Sequence, residues 1–343
     1  MKEKAETPNN QVKIKAVKKV IPLTKKPFYY KAYKLFLLLR PKQWVKNLIV
    51  FLPLFLSGKI FYQDFFLRNL YAFIALCLLT SAIYIVNDIV DSENDQHHPV
   101  KKYRPIASGT ISKPFALATS FILLILSLVV GYILLHSEYF IAFQIGYAVM
   151  MVLYSVWLKN VGIVDTIIIA LGFIFRAFAG AVVIEISVSA MLAVTIIGGA
   201  LLISFGKRRA EISEINYDNA IEYRPALSVY SGVSLNVIVA GLFAVTFMSY
   251  VLFCYSFAIS VIDYRIVQVL PPLIRNSNWL LLTIPVAFYS LTRYLVNVFK
   301  GNIAERPEDL WWQDKALLIS GFIWFLMLFL LIYWNYILEI IHL

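Results

Sequence analysis

Charged residues are scarce in this chain. They make up 15% of its 343 residues, whereas apolar residues make up 60%, and the mean hydropathy is +0.75. That balance excludes an ordinary soluble globular protein. Cysteine is rarer still: Cys77 and Cys254 both lie in apolar runs, where we expect buried free thiols rather than a disulfide or a metal site. The sequence also lacks an internal repeat and a Gly-rich nucleotide-binding motif, and we expect no nucleic-acid partner.

What the chain has instead is a series of long apolar runs, each near the roughly 20 residues that a helix needs to cross a bilayer. They predict an all-α, polytopic membrane protein with nine transmembrane helices in a single domain covering 35–343. The first run is the least regular, because Pro41 and Pro53 interrupt it. The predicted spans are 43–62, 67–90, 115–135, 138–158, 162–183, 188–206, 228–256, 279–298 and 315–337.

Lys and Arg residues are concentrated on one side of these spans. Most of them lie either in the loops after the second, fourth, sixth and eighth spans or in the N-terminal arm, 1–34. Because cytoplasmic loops carry the excess of basic residues, we expect the N-terminus and these loops in the cytoplasm and His342 outside, in a bacterial inner (plasma) membrane. We interpret the arm as flexible, acting either as a topology signal alone or in recruiting anionic lipid or substrate.

An acidic stretch, 87–95, follows the second predicted span. If the helix continues through it, Asp88, Asp91 and Asp95 lie at offsets of 0, 3 and 7 and share one helical face. Converging carboxylates repel one another strongly unless a cation lies among them. Mg²⁺ is the natural candidate, because it takes oxygen ligands and commonly bridges carboxylates to substrate phosphates, and Asn87 could add a carbonyl oxygen. The alternative is an acidic loop at a helix end that binds nothing.

Basic residues near the ends of other spans are candidates for phosphate binding. After the sixth span, Lys207 is a candidate for both catalysis and binding, together with Arg208 and Glu211. Lys207 and Glu211 are four residues apart, so they could instead pair on one helix face while the segment sets topology. Lys101 and Arg104 follow the acidic stretch, and three further candidates lie at the cytoplasmic start of the first span: Arg40, Lys46 and Asn47.

Arg176 lies in the middle of the fifth predicted span. An arginine at that depth must face a cavity or an anion, or else pair with an acidic side chain. The sequence therefore predicts either a substrate-binding role for Arg176 or a structural pair with Asp165 or Glu185.

Five motifs, in order, resemble the decaprenyl-phosphate phosphoribosyltransferase branch of the UbiA-type intramembrane prenyltransferase superfamily. The resemblance covers roughly 35–337, and the motifs are RPKQWVKN, NDIVDSENDQHHPVKKYRPIASG, GFIFRAFAG, FGKRRAEISE and RYLVNVFKGNIAERPEDLWWQDKAL. It implies a nine-helix bundle with a central cavity, a cytoplasmic active site and a lateral opening to lipid. Aromatic prenyltransferases of the superfamily carry a second Asp-rich motif after the sixth span, where this chain has KRRAEISE. That departure favours direct contact with phosphate over a second metal site.

The activity that this resemblance implies is Mg²⁺-dependent transfer of 5-phosphoribose from 5-phosphoribosyl 1-diphosphate to a polyprenyl (decaprenyl-type) phosphate, releasing diphosphate. One alternative is a prenyltransferase of the same superfamily that moves a prenyl group from its diphosphate to an aromatic or other acceptor. Another, from a different class, is a lipid-phosphate transporter, although such proteins more often show internal pseudo-symmetry. Homo-oligomers are common among membrane helix bundles, and the oligomeric state of this protein stays an open question.

Overall fold

The computed structural model describes residues 28–98, 100–215, 229–230, 232–257, 279–300 and 313–341. Within those ranges the regular structure is helical throughout, and no strand occurs. The predicted all-α class is therefore confirmed. The physical reason is that lipid offers the backbone no hydrogen-bond partners, so each spanning segment must satisfy its own N–H and C=O groups.

In these ranges eight helices are long and apolar enough to cross a bilayer. The spanning helices are α3 (Gln63–Val90), α5 (Lys113–Val129, extended by a π-helical turn over Val130–Leu134), α6 (Glu138–Val156), α7 (Val164–Val183), α8 (Ala190–Ile215), α9 (Gly232–Ser256), α10 (Ile284–Lys300, preceded by a 3-10 turn over Trp279–Thr283) and α11 (Lys315–Ile332). The shorter helices are α1 (Phe28–Leu38), α2 (Leu52–Leu56), α4 (Ser92–His97) and α12 (Trp334–Ile341).

The first predicted span departs from a regular membrane helix. Its place is taken by an 11-residue 3-10 helix, Pro41–Phe51, which we call the entry segment, followed by the five-residue α2. Prolines stand in the first turn of each piece, at Pro41 and Pro53, as their fixed φ and missing N–H allow. The count of nine spans stays a prediction, because this short, composite piece is not among the eight.

Small residues let α7 pack closely against its neighbours. Ala177, Ala179 and Ala181 are each at most 3% exposed, as expected where membrane helices approach one another closely. At Gly180 the approach is closest, because an added Cβ would lie 1.8 Å from the backbone oxygen of Val50 in the entry segment. Glycine is required here by contact rather than by backbone conformation.

At the other end of the chain, α10 and α11 are joined by an ion pair. Arg293 Nε lies 2.7 Å from Asp314 Oδ2, and Asn297 Nδ2 donates to the same oxygen at 2.6 Å. Asp314 also caps α11 by accepting from the backbone N–H groups of its first turn. Burial alone would raise the pKa of Asp314, but these hydrogen bonds lower the pKa to about 2. Part of the fifth sequence motif thus has a structural role, while its residues 301–312 lie outside the described ranges.

Gly180→Ala should destabilise the protein by about 2 kcal/mol or more, because the new methyl group forces α7 and the entry segment apart. Gly241→Ala in α9 is the matched control, since a Cβ there meets nothing within 4 Å and alanine favours a helix. Thermal unfolding of both variants in detergent checks this. Equal midpoints for the two variants would contradict the close approach at Gly180.

Candidate active site

A buried carboxylate, Asp88, lies at the centre of a charged cluster at the end of α3. Its side chain is 3% exposed. Arg40 Nε donates to Asp88 Oδ2 at 3.1 Å, and Arg40 Nη2 donates to Oδ1 of the same carboxylate. This two-point contact is the geometry in which a guanidinium binds a carboxylate most strongly.

The backbone at Arg40 is bent in an unusual way to make that contact. Its φ of 52° and ψ of 55° place it in the left-handed region, between α1 and the entry segment. Such a conformation is uncommon for a residue other than glycine, and it persists only where surrounding contacts hold it. The guanidinium carbon of Arg40 also lies 5.1 Å from the centre of the Tyr84 ring, which adds a cation–π contact.

Arg104 joins Asp88 to Asp95. Its Nη1 lies 3.1 Å from Asp88 Oδ1 and 2.6 Å from Asp95 Oδ2. Asp95 is itself buried, at 4% exposed, because α4 continues the helical path of α3 after one turn residue, Asp91. The predicted shared face is thus present for Asp88 and Asp95.

Asp91 makes different contacts. It accepts a hydrogen bond from Asn87 Nδ2 at 3.0 Å, and its other carboxylate oxygen pairs with Lys159 Nζ. Lys159 lies in the 3-10 turn Leu158–Asn160, in a loop whose basic charge predicts only topology from the sequence. Its position in the loop after the fourth span, on the side of the acidic stretch, was the signal that could have found it.

The carboxylate oxygens of this cluster suit a divalent cation, although basic side chains already pair with them. In the part of the chain that the structure describes, no three His, Cys, Asp or Glu side chains converge as metal ligands. The oxygens of Asp88 and Asp95 nevertheless share one nitrogen, Arg104 Nη1, so a positive group already lies between them. Carboxylate oxygens are the ligands that Mg²⁺ prefers. The metal-binding roles of Asn87, Asp88, Asp91 and Asp95 stay a prediction that fits this chemistry.

Arg176 and Asn47 meet in a second, internal network. Arg176 is 5% exposed, and its Nε donates to Asn47 Oδ1 at 2.8 Å. The alternative pairing predicted for Arg176 is not seen, because Asp165 pairs with Arg208 and no ion pair joins Arg176 to Glu185 among the residues described. Lys46 and Lys101 are half-buried. The substrate-binding roles of these four candidates stay predictions.

The basic residues near the end of α8 contact different neighbouring side chains. Arg208 is 1% exposed, and its Nε lies 2.9 Å from Asp165 Oδ2 on α7, while its Nη1 donates to Glu211 Oε2 at 2.6 Å. Arg209 donates to Asn236 Oδ1 on α9 at 2.6 Å, and Lys207 is half-buried. An enclosed arginine between two carboxylates links α7 to α8, so Arg208 and Glu211 have a clear structural role. Their contact with substrate stays a prediction.

Membrane-length helices that enclose a cluster of carboxylates and arginines at one end define an integral membrane protein with a buried polar site. The chain belongs to the UbiA prenyltransferase family, whose sequence profile matches residues 48–326.

Relatives agree with this membership, and a solved structure shares the fold. The decaprenyl-phosphate phosphoribosyltransferase of Mycolicibacterium smegmatis is 30% identical over 289 residues, which cover 83% of this chain and 88% of that protein. The protein of the same name from Corynebacterium glutamicum is 28% identical over 306 residues, covering 86% and 85%. A UbiA homolog from Archaeoglobus fulgidus, solved with GPP and Mg²⁺, superposes with a TM-score of 0.60 at 16% identity, covering 86% of this chain and 96% of that one. The UbiA-type fold predicted from the sequence is confirmed.

Asp165→Asn should destabilise the protein by about 3 kcal/mol, because it removes one partner of a fully buried arginine. The control is Glu93→Gln, which removes an exposed pair with Lys113 at 3.4 Å and should change stability by less than about 0.5 kcal/mol. Unfolding by SDS in mixed micelles measures both. A small effect at Asp165 would mean that the Arg208 pair contributes little to the packing of α7 on α8.

Proposed function

We propose that this protein transfers 5-phosphoribose from 5-phosphoribosyl 1-diphosphate to a polyprenyl phosphate, releasing diphosphate. The observation that carries the proposal is the cluster of Asp88, Asp95, Arg40 and Arg104, in which buried carboxylates and guanidinium groups neutralise one another. A site of that kind can exchange internal ion pairs for contacts with an anionic substrate. The names of relatives matched over most of both chains supply the substrate class.

The donor's diphosphate is the group that suits the basic side chains of the cluster. Guanidinium forks bind phosphate oxygens at two points, and Arg40 and Arg104 are both partly exposed, at 21% and 27%. Lys159, also 21% exposed, adds a point charge on the Asp91 side. As these groups turn to the diphosphate, the oxygens of Asp88, Asp91 and Asp95, with Asn87, would hold Mg²⁺. When bound, that ion would offset the charge that develops on the leaving diphosphate.

The chemical step needs no dedicated base. An oxygen of the acceptor phosphate forms the new bond to the anomeric carbon of ribose, and the bond from that carbon to the diphosphate oxygen breaks, with its electron pair leaving on diphosphate. The acceptor is already an anion near neutral pH, because the second pKa of a phosphate monoester is about 6. The protein therefore acts by positioning two anions against each other and by stabilising the charge on the leaving group. A single displacement of this kind inverts the anomeric carbon.

Further basic residues are proposed contacts for the phosphates of the two substrates. They are Lys46, Lys101 and Lys207, each partly exposed, whereas we propose that the enclosed Arg208 and its partner Glu211 hold α7 to α8. The polyprenyl tail stays in the bilayer, so its phosphate has to reach the cluster from the lipid side.

The experiment that tests the activity supplies purified protein and Mg²⁺ with one of two substrate pairs. One pair is radiolabelled phosphoribosyl diphosphate with polyprenyl phosphate, and the other is a prenyl diphosphate with an aromatic acceptor. We expect label in the lipid fraction and release of diphosphate with the first pair only. Product from the second pair would assign the chain to prenyl transfer, and movement of polyprenyl phosphate across liposomes with neither product would assign it to transport.

Asp88→Asn and Asp91→Asn should each lower turnover to less than a tenth of wild type, a loss of more than about 1.4 kcal/mol of transition-state stabilisation. The reason is that each amide removes the negative charge that would face Mg²⁺ and takes a charged partner from Arg40 and Arg104, or from Lys159. Glu93→Gln is the control, since Glu93 lies in the same stretch and is 84% exposed. Initial rates on folded variants, checked by size exclusion, give the measurement, and a rate above a tenth at Asp88 counts against its role.

Lys207→Ala should raise KM for phosphoribosyl diphosphate about tenfold, as expected when one charged contact to phosphate is lost. Arg209→Gln removes the same charge two residues further along, where the side chain bonds Asn236 and lies over Phe299, and should leave this KM within about twofold. Steady-state kinetics with the donor varied compares the two. Equal KM values would return Lys207 to a topology role.

A further inference from the structure

The guanidinium of Arg176 is enclosed by internal partners in the middle of α7. Besides Asn47, it donates to the backbone oxygen of Gly172 at 2.7 Å and to the hydroxyl of Tyr147 at 2.6 Å. It lies over the rings of Tyr147 and Phe173, with 5.1 and 5.6 Å to their centres. Its three nitrogens each have an acceptor in the protein, and no carboxylate pairs with it in the part of the chain that the structure describes.

Asn47 belongs to the entry segment and connects Arg176 to α3. It is fully buried, and its Nδ2 donates to Thr80 Oγ1 at 3.1 Å and to Cys77 Sγ at 3.3 Å. One amide therefore ties the entry segment to α7 through its oxygen and to α3 through its nitrogen. A second tie lies closer to Arg40, where Trp44 Nε1 donates to Ser81 Oγ at 3.0 Å.

The entry segment needs such restraints. Runs of 3-10 helix longer than three or four residues are uncommon, because their hydrogen bonds are poorly aligned, yet this one has 11 residues. Its N-terminal boundary is Arg40, whose left-handed backbone directs the side chain to Asp88. Asn47 follows Arg40 by seven residues, or about 14 Å of 3-10 rise. Asp88 thus binds Arg40 at the start of the segment, and Arg176 binds Asn47 beyond its middle.

We propose that Arg176 is a positioning residue, which acts through Asn47 to fix the entry segment so that Arg40 stays over Asp88. This role replaces the direct substrate contact predicted from the sequence. It rests on the proposed function only in so far as Arg40 is taken to act on the donor's diphosphate.

The first test measures the entry segment itself and needs no activity. Hydrogen exchange followed by mass spectrometry on the substrate-free protein in nanodiscs reports peptides that cover 41–51. Arg176→Leu and Asn47→Ala should each speed exchange there by tenfold or more. Tyr147→Phe is the control, because it removes one Arg176 contact that does not lead to the entry segment, and exchange should stay within about threefold.

The second test is a mutant cycle on turnover. We expect Arg176→Leu and Asn47→Ala to lower kcat at least tenfold with KM for polyprenyl phosphate within about threefold. Adding either change to Arg40→Gln should lower kcat no more than about twofold further, because both act through Arg40. If Arg176→Leu does not fold, Asn47→Ala and its double variant with Arg40→Gln test the proposal instead.

Two results would overturn the proposal. One is unchanged exchange over 41–51 in Asn47→Ala. The other is a double variant, Arg40→Gln with Arg176→Leu, whose loss of kcat equals the product of the two single losses and whose KM for polyprenyl phosphate is raised. That result would make Arg176 a substrate contact. Absence of phosphoribosyl transfer by the wild-type protein would contradict the proposed function instead, and the exchange measurement would still decide the link from Arg176 to the entry segment.

Discussion

The burial of Asp88 is the constraint on which the rest of this site depends. A carboxylate that is 3% exposed at the end of a membrane helix requires positive partners, since a lone buried charge is far more costly than a paired one. Arg40 and Arg104 come from opposite sides in sequence to supply that charge. The left-handed backbone at Arg40 and the 3-10 form of the entry segment are both consistent with this demand. Arg40 and Arg104 are partly exposed, so they can exchange their carboxylate partners for an anion.

A second buried ion pair has a different purpose. Arg208 lies between Asp165 and Glu211 with 1% exposure, and it joins two spanning helices rather than facing an opening. The partial exposure of Arg40 and Arg104, at 21% and 27%, is what separates a site from a structural link. The two sets of ion pairs have similar charges and similar positions in the sequence. The solvent exposure of the arginines distinguishes the candidate site from the structural pair.

Much of the architecture and part of the site follow from the sequence. Apolar runs of membrane length predict the spanning helices found in the described ranges, and the spacing of Asp88 and Asp95 predicts their convergence. The pairing of Asp91 with Lys159 could not be predicted, because it depends on a loop from another hairpin. Likewise, periodicity does not show that the first run forms a 3-10 helix, since tertiary contacts at Trp44 and Asn47 hold it. The enclosed state of Arg208 depends on packing between α7 and α8, which a single-sequence pattern does not encode.

A structure with phosphoribosyl diphosphate and Mg²⁺ bound, determined by electron cryomicroscopy in nanodiscs, tests the central claim most directly. We expect the donor's diphosphate to contact Arg40 and Arg104, with the carboxylates of Asp88 and Asp95 turned from those arginines to the metal. A diphosphate bound elsewhere in the bundle, with the Arg40–Asp88 and Arg104–Asp95 pairs unchanged, would show that the buried cluster is a structural element and not the donor site.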